Sequence, residues 1–337
     1  MTTRTMLFAA LLSVTGMSQA AVPGEVIAAL NARTDRTAVM SPDGSNQTYP
    51  SCLGVSIHDL THMASPRYFI GEAWGSNVVY IDSLGNPNYN SELVAADEDC
   101  EQVVVLSNQG NMQMGQAKWS PDGTMIAFRG HEYAIDGPPP QLLPGQIRNE
   151  LYLADVVYTG NRPTGVTNFR MVFEGVWLTG LHGWAPDSGR LVYSAPSGSH
   201  NDLYVYTLAT GQSVNITNTP DQGEEAPSWG SSGRIAYARL SARTRSGDRY
   251  DIYSIPETGG AEAQITSKSS AASPRNHMAT YSPDGRYVAF SSCSSNNTIN
   301  GALGDCALYR IRADGSGKAI KIVGGKNEAW THARWRR

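Results

Sequence analysis

The chain has 337 residues, of which 40% are hydrophobic and 17% charged, and its net charge is −4. That is enough apolar material for a core, and the charge balance rules out the strongly basic surface of a nucleic-acid binder. The 34 glycines and 18 prolines are spread along the chain, which favours many short strands and turns over long helices.

The N-terminus has the pattern of a signal peptide. Arg4 precedes an apolar run over residues 6–14 (MLFAALLSV), and small residues ending at Ala20 or Ala21 offer a cleavage site. Residues 1–20 are therefore expected to be removed and 21–51 to form an N-terminal extension. No later stretch approaches the ~20 apolar residues that span a bilayer. No cysteine follows the run, so no lipid anchor is expected. The mature protein is expected to be periplasmic or secreted, without a membrane span, and a monomer. Its four cysteines, Cys52, Cys100, Cys293 and Cys306, fit an oxidising compartment. Cys293 and Cys306 flank a polar loop between apolar strands, which leaves Cys52 for Cys100. Four cysteines allow three connectivities, so this pairing rests on proximity.

In the extension, Ser41-Pro-Asp-Gly44 and Leu53-Gly-Val-Ser-Ile57 could supply extra strands, with residues 26–31 a strand or a short helical turn. Residues 67–72, 77–82 and 102–106 have the pattern of strands two to four of one unit. A clear repeat begins at Trp119. Trp119-Ser-Pro-Asp-Gly123, Trp184-Ala-Pro-Asp-Ser188, Trp229-Gly-Ser-Ser-Gly233 and Tyr281-Ser-Pro-Asp-Gly285 are each followed by an apolar strand, and Trp335 adds a further aromatic near the end. In each unit a strand ends on an aromatic, a tight turn of the Pro-Asp-Gly type, varied at 188 and 230–232, reverses the chain, and a second strand follows. Third strands begin at Glu150, Asp202, Asp251 and Ala307. Short fourth strands follow, as at 212–217 and 263–266. Four antiparallel strands per repeat are the signature of propeller blades.

The sequence W-S-P-D-G, I-A-F, D-I-Y, I-T resembles the TolB-type (WD40-like, PD40) repeat. The resemblance is clear over residues 115–325 and implies an all-β propeller of four-stranded antiparallel blades over 52–337. Counting His332-Ala-Arg-Trp335 as a first strand completing the N-terminal blade gives five blades; strands within 21–60 would make six. The chain has no room for the separate N-terminal α/β domain of the TolB protein, so a TolB role in a Tol–Pal system is not expected.

The turns between first and second strands are tight. The connections between second and third strands are longer, near 130–148, 195–201, 239–249 and 292–305, and lie on the opposite face. Long loops on a rigid scaffold are where binding groups are displayed. His131 and His200 belong to these loops. His182, His277 and His332 lie just before their aromatic anchors, at the start of innermost strands. Converging there, they would hold a divalent metal or supply a general base. Taken singly, each is as well explained as a strand-end cap. Arg239, Arg243, Arg245 and Arg249 form a cationic loop suited to carboxylate or phosphate, or simply a solvated loop balanced by Glu224, Glu225 and Asp248. Residues 136–144 (DGPPPQLLP) form a semi-rigid lip. A zinc site at His58 and His62 is not expected, since the surroundings do not favour a helix.

No nucleophile elbow, HExxH, P-loop or CxxC motif is present. The leading expectation is a periplasmic propeller binding an envelope protein or glycan, anionic in character, through its long-loop face. The alternative follows from a short similarity to oligogalacturonate lyases around Asn276-His277 and Thr331-His332. It makes His277 or His332 the base and places Arg243 or Arg245 on a uronate carboxylate.

Overall fold

The computed structural model describes residues 25–32, 34, 36–50, 56–60, 68–97, 100–133, 150–173, 180–244, 247–266, 275–294 and 305–336. The predicted signal segment, Cys52, Arg245 and the proline-rich lip lie outside the described residues. All regular structure among the described residues is β.

Strands β1 (Val26–Asn31) and β2 (Arg36–Met40) open the fold. β3 (Ser56–Leu60), β4 (Tyr68–Ile81), β5 (Pro87–Asp97) and β6 (Val103–Asn108) form an antiparallel sheet in that order. So do β7 (Met112–Trp119), β8 (Met125–Glu132), β9 (Glu150–Thr159) and β10 (Arg162–Phe173). A third sheet holds β11 (Gly180–Trp184), β12 (Arg190–Ser197), β13 (His200–Thr207) and β14 (Gln212–Asn215). β15 (Glu224–Trp229), β16 (Arg234–Thr244), β17 (Gly247–Pro256) and β18 (Ala263–Gln264) make a fourth group. β19 (Arg275–Tyr281), β20 (Tyr287–Cys293), β21 (Cys306–Arg312) and β22 (Ile320–Val323) make a fifth, tied to the fourth by one parallel pair, Tyr250 with Arg275. Finally β23 (Trp330–Arg336) pairs antiparallel with β1, joining the two ends of the chain in one sheet.

The first strand of each group packs on the first strand of the next: β3 on β7, β7 on β11, β11 on β15, β15 on β19, β19 on β23, and β23 on β3. The aromatic anchors fill the seams. Trp119 shares a core with Ile70 and Leu93 of the preceding sheet, and Trp184 with Leu151 and Ala127. Trp229 meets Val192 and Leu203, Tyr281 meets Ala236 and Ile252, and Trp335 meets Ala289 and Leu308. All five anchors are buried.

The tight turns have a backbone reason for their sequence. Gly123 and Gly285 have φ of 73° and 72°, where a side chain is strained. Ser188 holds the same place at φ 56°, and its hydroxyl oxygen accepts the Asp122 N–H of the neighbouring turn at 3.1 Å. At Gly230 the reason is close approach, because a Cβ there would meet the Tyr281 ring at 2.7 Å.

Three sequence expectations are corrected. Residues 77–82 are the far half of strand β4, not a third strand; the third strand of that sheet is Pro87–Asp97. Residues 195–201 and the described part of 239–249 are not open loops but paired strands, with Ser197 opposite His200 and Thr244 opposite Gly247. Opposite charges face each other across the second hairpin, Arg239 with Asp251 and Arg243 with Asp248, which favours the ladder over a loop. Residues 26–31 are a strand rather than a helical turn.

Cys293 and Cys306 face each other across β20 and β21 and are joined in a disulfide. Cys100 is also disulfide-bonded, and the partner expected for it, Cys52, lies outside the described residues.

Candidate functional site

The innermost strands converge at their aromatic ends on a cavity of about 280 Å³. Trp119, Trp184, Trp229, Tyr281 and Trp335 contribute to its wall, with Pro121, Pro186 and Pro283 from the turns. The polar lining is Lys118, Arg336, Ser228, Ser231 and Ser282, with no Asp or Glu among the described residues that line it. Indole N–H groups fix the wall. Trp184 Nε1 donates to the Lys118 carbonyl at 3.1 Å, Trp229 Nε1 to Glu257 at 3.0 Å and Trp335 Nε1 to Glu25 at 3.1 Å. The Arg190 guanidinium sits 5.0 Å from the Trp229 ring and pairs with Glu257 at 3.1 Å. The nearby acids Glu257 and Glu25 are engaged by these indoles and by Arg190, and Lys118 and Arg336 are the cationic residues of the lining.

The other end of these strands is shaped by bulges. Gln116, Ala226, Met278 and His332 each lie three residues before an anchor, and each has φ between 51° and 55°. Every one coincides with a break in the ladder to the next strand. Two of these side chains reach the following sheet: Gln116 Oε1 accepts the Leu181 N–H at 3.1 Å, and Met278 Sδ accepts the His332 N–H at 3.4 Å.

No family model and no curated protein matches the chain by sequence. Solved structures do match. A TolB-assigned protein from Agrobacterium tumefaciens is 16% identical, with a TM-score of 0.57 over 93% of this chain and 98% of that one. A puromycin hydrolase is 14% identical, with a TM-score of 0.54 over 86% of this chain and 42% of that one. An oligogalacturonate lyase from Vibrio parahaemolyticus is 13% identical, with a TM-score of 0.47 over 82% of this chain and 71% of that one. The chain has a TolB-like β-propeller fold. At these identities the likeness speaks to the fold, and its sheets are propeller blades.

Within that propeller the sequence-predicted residues separate. His277 is the third residue of β19, with its ring 4.4 Å from that of Tyr250 and its Nε2 3.4 Å from Arg275 Nε. Burial, and then the charge of Arg275, push its pKa down to about 3, so the ring is neutral at physiological pH. Tyr250 also hydrogen-bonds Glu225, whose pKa burial raises against the lowering effect of Arg275. His332 has Nδ1 3.0 Å from Thr331 Oγ1. Met278 links the two regions, since it follows His277 and accepts the His332 N–H. His182 falls at the ladder break of β11, and its side chain lies outside the described residues. Among the described residues no group of three or more His, Cys, Asp or Glu side chains is arranged to hold a metal. Arg243 is exposed near the tip of the β16–β17 hairpin, and the cation beside His277 is instead Arg275.

The buried carboxylates that open the third strands were not singled out by sequence. Glu150 meets His131 Nδ1 at 2.9 Å, and Asp202 lies 3.8 Å from His200 Nε2. Asp251 accepts from Ser241 at 2.8 Å, Arg249 at 3.2 Å and Thr266 at 3.2 Å. Glu224 does not balance a solvated loop, as the sequence reading had it; it is fully buried. The cavity cations were also missed. Their signal is position: Lys118 directly precedes an anchor and Arg336 directly follows one.

Proposed function

We propose that this chain is an exported six-bladed propeller that binds an anionic segment of an envelope protein or glycan at the cationic cavity of its tight-turn face. The observation that carries this reading is the lining itself, in which Lys118 and Arg336 stand with Ser228, Ser231 and Ser282 and with no Asp or Glu among the described residues. Fixed cations flanked by hydroxyls suit carboxylate or phosphate groups on an extended chain. The succession of first strands supports six blades, with β23, β1 and β2 as the blade shared by both ends. Residues 26–40 then belong to the propeller rather than to a separate extension, and sharing a blade protects edges that two free ends would expose. The Cys293–Cys306 disulfide supports export.

The test is titration of the purified protein with polygalacturonate and with an acidic peptide at rising salt. Arg336→Gln is expected to weaken binding about tenfold and flatten its salt dependence, the effect of losing one charge-assisted contact. Equal binding by the variant, or none by the native protein to either ligand, overturns the reading.

A second reading is a lyase of acidic oligosaccharides, favoured by one observation, the neutral His277 beside Arg275. Arg275 would hold the uronate carboxylate in place of Arg243 or Arg245, and His277 or His332 would take the adjacent proton. Formation of unsaturated uronate by the native protein, lost in His277→Ala or His332→Ala, is the expected result; its absence removes this reading.

A further inference from the structure

The joint between the β11–β14 and β15–β18 blades contains two carboxyl groups with too few donors for both to be charged. Glu224, the first residue of β15, is fully buried. Its Oε1 accepts from Thr219 Oγ1 at 2.6 Å, while Oε2 is buried without a hydrogen-bond donor. Asp202, near the start of β13 and also buried, shares Thr219 with Glu224: its Oδ1 lies 3.5 Å from the same Thr219 hydroxyl that Glu224 engages. Asp202 already accepts from Asn215 Nδ2 at 2.6 Å and from the Thr219 N–H at 3.3 Å.

Among the described residues Glu224 has no counter-ion. Arg239 lies directly across the β15–β16 ladder, but its guanidinium pairs with Glu262 and stacks 3.6 Å from the centre of the Tyr253 ring. Tyr237 also donates to Glu262. Glu262 is therefore a charged neighbour that repels a second anion. His200 approaches Asp202 at 3.8 Å and makes no contact with Glu224 among the described hydrogen bonds. The adjacent Glu225 is occupied with Tyr250.

The next joint shows what the slot requires. Asn276, the second residue of β19, corresponds to Glu224, the first of β15, each five residues before its anchor. Its Nδ2 amide approaches Asp251 Oδ1 and Thr266 Oγ1, both at 3.4 Å. The position calls for a donor to the third-strand aspartate. An amide supplies one at every pH; a carboxyl supplies one only while it carries its proton.

We propose that Glu224 acts as a proton-operated latch between two blades: as a carboxylic acid it donates to Asp202 and closes the joint, and on losing its proton it opens it. The effect of burial and of the acidic neighbours agrees, raising the group to about 8, within the range an exported protein meets. The latch lies at the end of the blades opposite the cationic cavity, and it stands whether or not that cavity binds an anion.

The experiment follows the thermal midpoint of the disulfide-intact protein from about pH 5 to about pH 9 in the native chain, Glu224→Gln and Asp202→Asn. The native midpoint is expected to fall by about 4 °C more than that of Glu224→Gln over this range, and Asp202→Asn to remove most of the difference. A Glu224→Gln profile parallel to the native one overturns the proposal. A second measurement needs no variant to fold. Infrared difference spectra of the native protein should contain a protonated-carboxyl stretch at neutral pH that disappears towards pH 9, and its absence at neutral pH also overturns the latch.

Discussion

The joint built on Asp202 and Glu224 and the joint built on Asp251 and Asn276 occupy the same place in successive repeats and differ mainly in one donor. At Asp251 the acceptor is surrounded by permanent donors, the hydroxyls of Ser241 and Thr266, the Arg249 guanidinium and the Asn276 amide. At Asp202 the corresponding inner-strand residue is a second acid. Burial alone does not make a polar seam stable, because the outcome depends on whether donors and acceptors balance without a proton from solvent. The two joints also respond to pH in opposite directions. Glu224 has a raised pKa, so its contribution is complete below the ordinary glutamate range and is lost as pH rises through about 8. His277, at the second joint, has a pKa lowered to about 3. The folded state then binds fewer protons than the unfolded state from about 3 to the ordinary histidine range, and stability falls as the medium is acidified through that window.

The comparison can be broken most sharply at its acceptors. Asp251→Ala leaves several buried donors unpaired and is expected to cost about 3–5 kcal/mol in urea denaturation. Asp202→Ala should cost clearly less, because it also relieves Glu224 of an acidic neighbour; equal losses would show that the joints do not differ. Next in size is Asn276→Asp, which places a second acid beside Asp251 and should cost about 2 kcal/mol at neutral pH, read by the same denaturation. Its loss should grow as pH rises, reproducing the behaviour of the first joint. Smaller again is His277→Gln, expected to raise the thermal midpoint relative to the native chain by about 2 °C near pH 5 and to leave it unchanged near pH 8. The smallest effect is expected at Arg243→Gln. That side chain is exposed on the β16–β17 hairpin, and its ladder partner Asp248 is only partly buried, so the change in stability should stay within about 0.5 kcal/mol.

Much of the fold was legible because its signals are local. An aromatic followed by a proline turn marks a strand end wherever it occurs, and alternating apolar residues mark the strands that follow. The Cys293–Cys306 disulfide was legible for a similar reason, as its cysteines flank a single hairpin connection. The β16–β17 hairpin was not, because its arginines look like a solvated loop until Asp248 and Asp251 are placed opposite them. Nor was the length of β4, whose second half looks like a separate strand until its pairing with β5 sets the register. Among functional candidates, the histidines stood out by residue type, while Lys118, Arg336 and Arg275 did not. A cation's role depends on what surrounds it rather than on its immediate neighbours in the chain.

By itself, then, the sequence determined the β class, the four-strand grammar of the repeat and the aromatics that fill its seams, since each depends on residues within a turn or a strand of one another. Only the tertiary structure decided that residues 26–40 pair beside residues 330–336, that Lys118 and Arg336 line one cavity, and that Glu224 and Asp202 meet at Thr219. Those relations join residues far apart in the chain, and they exist only once the blades have packed and water has been excluded between them.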